Sequence, residues 1–139
     1  MKRKGFTLIE LMMTVAIISI LASVAIPKFG NMLAKTKESS TKGALGGIRS
    51  ALSIYYSDME GVNPPVGGLI TALTTGGKYL DHLPYARVPL PGNHGDQSGV
   101  LDFAGVYTDV GDWVYFASTG AVAVNCIHPD TTSRIWNAW

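Results

Sequence analysis

A single ionisable residue, Glu10, interrupts an otherwise apolar run from Phe6 to Pro27. The run follows a basic cap, Met1-Lys2-Arg3-Lys4-Gly5. About 21 mainly apolar residues rise roughly 31 Å as a helix, enough to cross the hydrocarbon core of a bilayer. The basic cap favours a cytoplasmic N-terminus, although Lys28, Lys35, Lys37 and Lys42 beyond the span weaken the asymmetry. An ionised carboxylate within such a span costs on the order of 2.5–3.5 kcal/mol, less when displaced toward the interface, so Glu10 calls for a partner. Cleavage after Gly5 would create one, the α-amino group of Phe6 on a neighbouring chain. The competing reading is an ordinary secretory signal with Ser23-Val24-Ala25 as its cleavage site. The absence of a spacer after Gly5 and the acid inside the run both count against it.

The order Lys4-Gly5-Phe6-Thr7-Leu8-Ile9-Glu10-Leu11, with the apolar run and Pro27, resembles the class III leader of type IV prepilins and type II secretion pseudopilins. The resemblance implies cleavage between Gly5 and Phe6 by a prepilin peptidase, with N-methylation of Phe6. It also implies assembly roles for Glu10, Thr7 and Pro27, with Glu10 pairing to the Phe6 amine of an adjacent subunit. Loss of Lys2, Arg3 and Lys4 would take the formal charge from +1 to −2.

The chain divides on this reading into a leader (1–5), a transmembrane or filament-core half-helix (6–28), an amphipathic half-helix (29–59) and a head (60–139). Pro27 lacks a backbone N–H and predicts a kink, or the locally unwound segment that the resemblance implies within a filament; Gly30 adds to the weakness. Leu45, Ile48, Leu52, Tyr55 and Met59 step by three and four and fall on one helical face, a core stripe. The polar stretch Lys35–Lys42 is expected to face solvent or neighbouring subunits. Gly43, Gly46 and Gly47 weaken the helix or admit another element closely. A helix from Phe6 to about Asp58 would run roughly 80 Å, too long for a domain of this size to bury.

Gly61-Val62-Asn63-Pro64-Pro65 stops the helix. Leu69, Ile70 and Leu73 suggest a short helical turn, and Val88–Gly99 an irregular loop. Asp112–Phe116 and Ala121–Cys126 flank Ser118-Thr119-Gly120 and read as an antiparallel hairpin, with Val100–Tyr107 as a possible preceding strand. So few strands need a partner surface. The expected fold is therefore α+β, a long helix packed on a small antiparallel sheet in the manner of type IV pilins. Trp136 and Trp139 are expected to pack back onto the head.

Chemistry-bearing motifs are scarce. There is no phosphate loop, metalloprotease helix or nucleophile elbow, so no enzyme is expected. His82, His94 and His128 lie far apart without metal-ligand spacing, each near an acid in sequence (Asp81, Asp96, Asp130). Asp102, Asp109 and Asp112 form an acidic loop weakly suggestive of calcium. No metal or cofactor is assigned. Cys126 is the only cysteine, which excludes an internal disulfide and makes a buried thiol the expected state. From residue 60 onward the only cations besides histidine are Lys78, Arg87 and Arg134, too few for a nucleic-acid stripe.

The expected function is a structural subunit of a type IV pilus or a type II secretion pseudopilus. The alternative is a scarce, tip-located pilin that binds DNA or a surface. The implied partners are further copies of the chain, the peptidase, an inner-membrane assembly platform and ATPase, and minor pilins or pseudopilins. The resemblance places the precursor as a single-pass protein of the inner membrane and the product in a periplasmic or extracellular filament.

Overall fold

The computed structural model describes residues 5–89 and 94–139. Lys2, Arg3 and Lys4 of the basic cap, and residues 90–93 of the expected loop, lie outside the described residues. The chain forms two units, divided between Leu33 and Ala34.

Helix α1 covers Leu8–Asp58, two residues short of the expected start at Phe6. The assignment passes through Pro27 without a break, although Pro27 leaves the Ser23 carbonyl without its usual helical donor. Among the described residues of the first unit the apolar side chains find no core. Leu8 is 76% exposed and Ile26 70%, and the apolar window of the helix is wholly unburied.

The second unit, Ala34–Trp139, is the head together with the C-terminal part of α1. Leu45, Ile48, Ala51 and Leu52 of α1 meet Trp113, Tyr115, Val122 and Val124 of the sheet in one core. Full burial of each large aliphatic side chain contributes about 1.5–3 kcal/mol. Tyr55 of the predicted stripe packs at the core's edge, whereas Met59 is exposed, because the helix has ended one residue earlier. Gly61 N–H then bonds back to the Tyr56 carbonyl across the left-handed Glu60 (φ 53°), closing the helix C-terminus. A Cβ at Gly43, Gly46 or Gly47 would meet nothing within 4 Å, so among the described residues no element exploits their small size.

The stretch Lys35–Lys42 departs from expectation. Glu38 and Thr41 are buried. Glu38 accepts hydrogen bonds from the Thr131 N–H (2.7 Å) and hydroxyl (2.6 Å). The Thr41 hydroxyl donates to the Arg87 carbonyl and accepts from the Arg87 N–H, both at 2.8 Å. Polar residues here are the seam between helix and head, since buried polar groups persist only with partners.

After a short helix α2 (Leu69–Thr74), the head builds strands β1 (Val100–Asp102), β2 (Trp113–Phe116) and β3 (Ala121–Val124) in the order β1-β2-β3. β2 and β3 form the expected hairpin, antiparallel with Trp113 opposite Val124 and Phe116 opposite Ala121. β1, however, pairs parallel to β2, so the sheet is mixed and not the expected antiparallel one. The ten residues from Phe103 to Asp112 carry the chain back to the starting end instead of reversing it in a tight turn. The Phe103 and Tyr107 rings lie 4.4 and 6.5 Å from that of Phe116. Phe116 shares a face with Val114, opposite the face of Trp113 and Tyr115 that meets the helix. The return loop thus covers the outer face of the sheet, where Val114 and Ala123 are buried.

Trp136 packs back as expected, 1% exposed and within the core, and Trp139 packs against its edge. Trp113 Nε1 donates to the Pro84 carbonyl and the Tyr115 hydroxyl to that of Pro64, both at 2.8 Å, tying the connecting segment to the sheet.

Candidate functional site

Gly5, Phe6 and Thr7 precede the helix in non-helical conformation and are exposed, Phe6 to 73%. Thr7 is the N-cap of α1 and Glu10 its third helical residue. The Glu10 N–H donates to Thr7 Oγ1 (3.3 Å), and Glu10 Oε2 accepts from the Thr7 N–H (2.9 Å) and hydroxyl (2.6 Å). This is a reciprocal capping box, which satisfies two of the donors that a helix start leaves open. The spacing Thr-x-x-Glu is the sequence signature of such a box, so the two residues expected to act in assembly also bond each other. Both contacts to the carboxylate use Oε2, which leaves Oε1 uncommitted in these bonds. Cap formation and an additional contact at Oε1 are therefore geometrically compatible. The Gly5–Phe6 peptide bond stands immediately outside the cap.

The titratable residues of the head do not sit as their sequence neighbours suggested. His82 does pair with Asp81 (3.2 Å) at the exposed surface. Asp96, however, lies beside Arg87 (3.4 Å) and not His94, and Asp130 binds Lys42 (2.8 Å) and not His128. Asp102, Asp109 and Asp112 also go separate ways. Asp102 Oδ2 accepts from the Gly67 N–H (2.8 Å), and Asp112 Oδ1 accepts from the Asn125 amide (2.9 Å). Asp109 instead meets His94, Cys126 and His128, whose ligand-capable atoms and its own all lie within 4.8 Å of one another.

His94 Nε2 is 3.4 Å and His128 Nδ1 3.3 Å from Asp109 Oδ1, and Cys126 Sγ is 3.6 Å from His128 Nδ1. Burial acts to raise the Asp109 carboxyl, but the Ile127 N–H and the two imidazoles outweigh it and hold the carboxyl below its ordinary value. Burial, with the carboxylate beside it, pushes the Cys126 thiol up to about 11. Cys126 is thus the buried free thiol that the sequence suggested. The convergence was hidden because 15 residues separate His94 from Asp109 and 17 separate Asp109 from Cys126. The parallel pairing of β1 with β2 and the β2–β3 hairpin together bring their segments to one place.

Residues 1–26 match the family described as the prokaryotic N-terminal methylation motif. The chain is similar to the fimbrial protein EcpC of Eikenella corrodens, 44% identical over 80 residues, which are 57% of this chain and 52% of EcpC. It is 50% identical over 56 residues to the type IV major fimbrial protein FimA of Dichelobacter nodosus, 40% of this chain and 36% of FimA. It is 38% identical over 88 residues to the type IV major pilin PilE1 of Neisseria gonorrhoeae, 61% of this chain and 41% of PilE1. The chain spans about half the length, or less, of these curated relatives. No solved structure matches it. The methylation motif at the N-terminus, the long helix and small α+β head, and these fimbrial and pilin relatives make the chain similar to type IV pilins.

Proposed function

We propose that the chain is a filament-forming pilin subunit. It is held in the membrane as a precursor, cut between Gly5 and Phe6, methylated on Phe6 and polymerised through the apolar half of α1. The observation that carries this reading is the combination at the helix entrance. An apolar helical segment with no core of its own begins in a capping box that contains the segment's one acid. Water is a poor solvent for so much exposed hydrocarbon, so the segment must lie in lipid or among copies of itself.

Inside a bundle of such helices an unpaired carboxylate is costly. Glu10 offers Oε1 to the Phe6 amine of a neighbouring subunit while Oε2 remains in the cap. Placing that one attraction fixes the axial stagger of two otherwise featureless apolar surfaces. A prepilin peptidase, an assembly platform with its ATPase, and minor subunits complete the pathway. The names of the relatives, fimbrial and major pilin, favour a pilus over a secretion pseudopilus.

The test is the intact mass of the protein from membrane and sheared-surface fractions. A surface form beginning at methylated Phe6 is expected. A chain beginning at Ile26, as an ordinary signal peptidase would leave it, overturns the proposal. Deleting the gene and scoring twitching against protein secretion then separates pilus from pseudopilus.

A further inference from the structure

We propose that His94, Asp109, Cys126 and His128 form a zinc site that clamps the segment before β1 and the loop between β1 and β2 to the segment after β3. The donor set is two imidazole nitrogens, one carboxylate oxygen and one sulfur, which matches the ligands zinc takes. Its geometry also matches. For metal–nitrogen or metal–oxygen bonds of about 2.0–2.1 Å and a metal–sulfur bond of about 2.3 Å, the edges of a ligand tetrahedron are about 3.3–3.4 Å, and about 3.5–3.6 Å to sulfur. Three of the six edges meet these lengths, 3.3 and 3.4 Å from the histidines to Asp109 and 3.6 Å from His128 to Cys126, and all six lie within 4.8 Å, close enough for a bound ion to draw the set together. Oxygen-rich calcium coordination of six to eight ligands has no counterpart here.

An independent observation points the same way. His94 Nε2 is buried and makes no hydrogen bond, although it faces the Asp109 carboxylate. A buried ring nitrogen without a partner is costly unless something occupies its lone pair. The supports are also in place. A Cβ on Gly111 would lie 2.3 Å from the His94 Cβ, so the glycine makes room for this ring. Asn125, fully buried, accepts from the Thr108 and Asp109 N–H groups at 2.9 and 3.3 Å and fixes the loop that presents the carboxylate. Such outer contacts orient metal ligands.

Binding is charge-balanced. Zn2+ displaces the thiol proton of Cys126 to solvent, and the thiolate with the Asp109 carboxylate offsets the ion's two charges, while both imidazoles bind neutral. The clamp would join segments 15 to 34 residues apart in a head whose single cysteine cannot close an internal disulfide.

The test uses the full chain in detergent, without a polyhistidine tag, after removal of metal by a chelator. Titration with Zn2+ is expected to saturate at one equivalent and to raise Tm. Co2+ in place of zinc is expected to give a thiolate-to-cobalt charge-transfer band at one equivalent. Cys126→Ser should abolish that band and, like His128→Ala, weaken zinc binding by at least about tenfold. His82→Ala, at the exposed surface, should leave binding unchanged. Absence of the cobalt band in the unmutated chain, or zinc affinity unaltered by both ligand substitutions, overturns the proposal. The cobalt measurement needs no variant, so a folding failure in a mutant cannot shield the idea.

Discussion

Replacing Asp130 by alanine removes one of the anchors between the helix and the C-terminal segment, beside the Glu38–Thr131 bonds. Asp130 Oδ2 receives Lys42 Nζ at 2.8 Å. Oδ1 receives the Thr132 hydroxyl (2.7 Å) and the N–H groups of Thr132 (2.8 Å) and Arg134 (3.0 Å). Breaking a buried pair by deleting one partner costs about 3–5 kcal/mol. Lys42 lowers that figure, because its side chain keeps 27% of its surface in water and lies 3.7 Å over the Trp139 ring. The orphaned N–H groups add about 1 kcal/mol each where water cannot reach them. The net loss is about 3 kcal/mol. For a unit of roughly a hundred residues, near 4 °C per kcal/mol, that lowers Tm by about 12 °C. Circular dichroism melts of the full chain in detergent at pH 7 measure it. The same melts at low pH test the cause. Burial alone would raise the Asp130 carboxyl, but the bonds from Lys42, Thr132 and Arg134 prevail and hold it far below its ordinary 3.8. A depressed folded value means that the stabilisation is present above 3.8 and is lost as pH falls from there toward the folded value. The Tm gap between wild type and variant should therefore narrow below about pH 4. A drop under about 3 °C at pH 7, or a gap of equal size at pH 3, would refute the electrostatic account.

Two further predictions concern the helix entrance and the hairpin. Glu10→Gln keeps an acceptor for the Thr7 cap but removes the charge, so cleavage at Gly5 should survive while sheared-filament yield falls at least about tenfold, as for a lost ion pair in a low-dielectric bundle; normal yield on an immunoblot would remove the pairing from the mechanism. Gly120 sits at φ 70°, and a Cβ there would lie 2.5 Å from the Asn63 Oδ1. Gly120→Ala should cost about 1–3 kcal/mol through strain and overlap, seen as an earlier urea midpoint with unchanged slope; an unaltered midpoint would show that the Asn63 side chain moves aside freely.

The local features of the chain were legible because each is written in consecutive residues. The apolar run, the stop at Gly61–Pro65, the hairpin around Gly120 and the stripe Leu45, Ile48 and Leu52 depend on periodicity and turn chemistry, which act within a few residues. Met59 was misread because periodicity does not say where a helix ends. Glu38 and Thr41 were misread because polarity predicts exposure only when no partner is at hand, and their partners, Thr131 and Arg87, are 93 and 46 residues away.

By itself the sequence determined the membrane-competent helix with its one acid, the family resemblance and the α+β class, since these follow from composition and short-range spacing. Only the tertiary structure decided that β1 runs parallel to β2, that Asp130 answers Lys42, and that two histidines, an aspartate and the lone cysteine form one cluster. Those outcomes depend on contacts between segments far apart in the chain, and the closing of a long loop leaves no mark in the spacing of the residues it brings together.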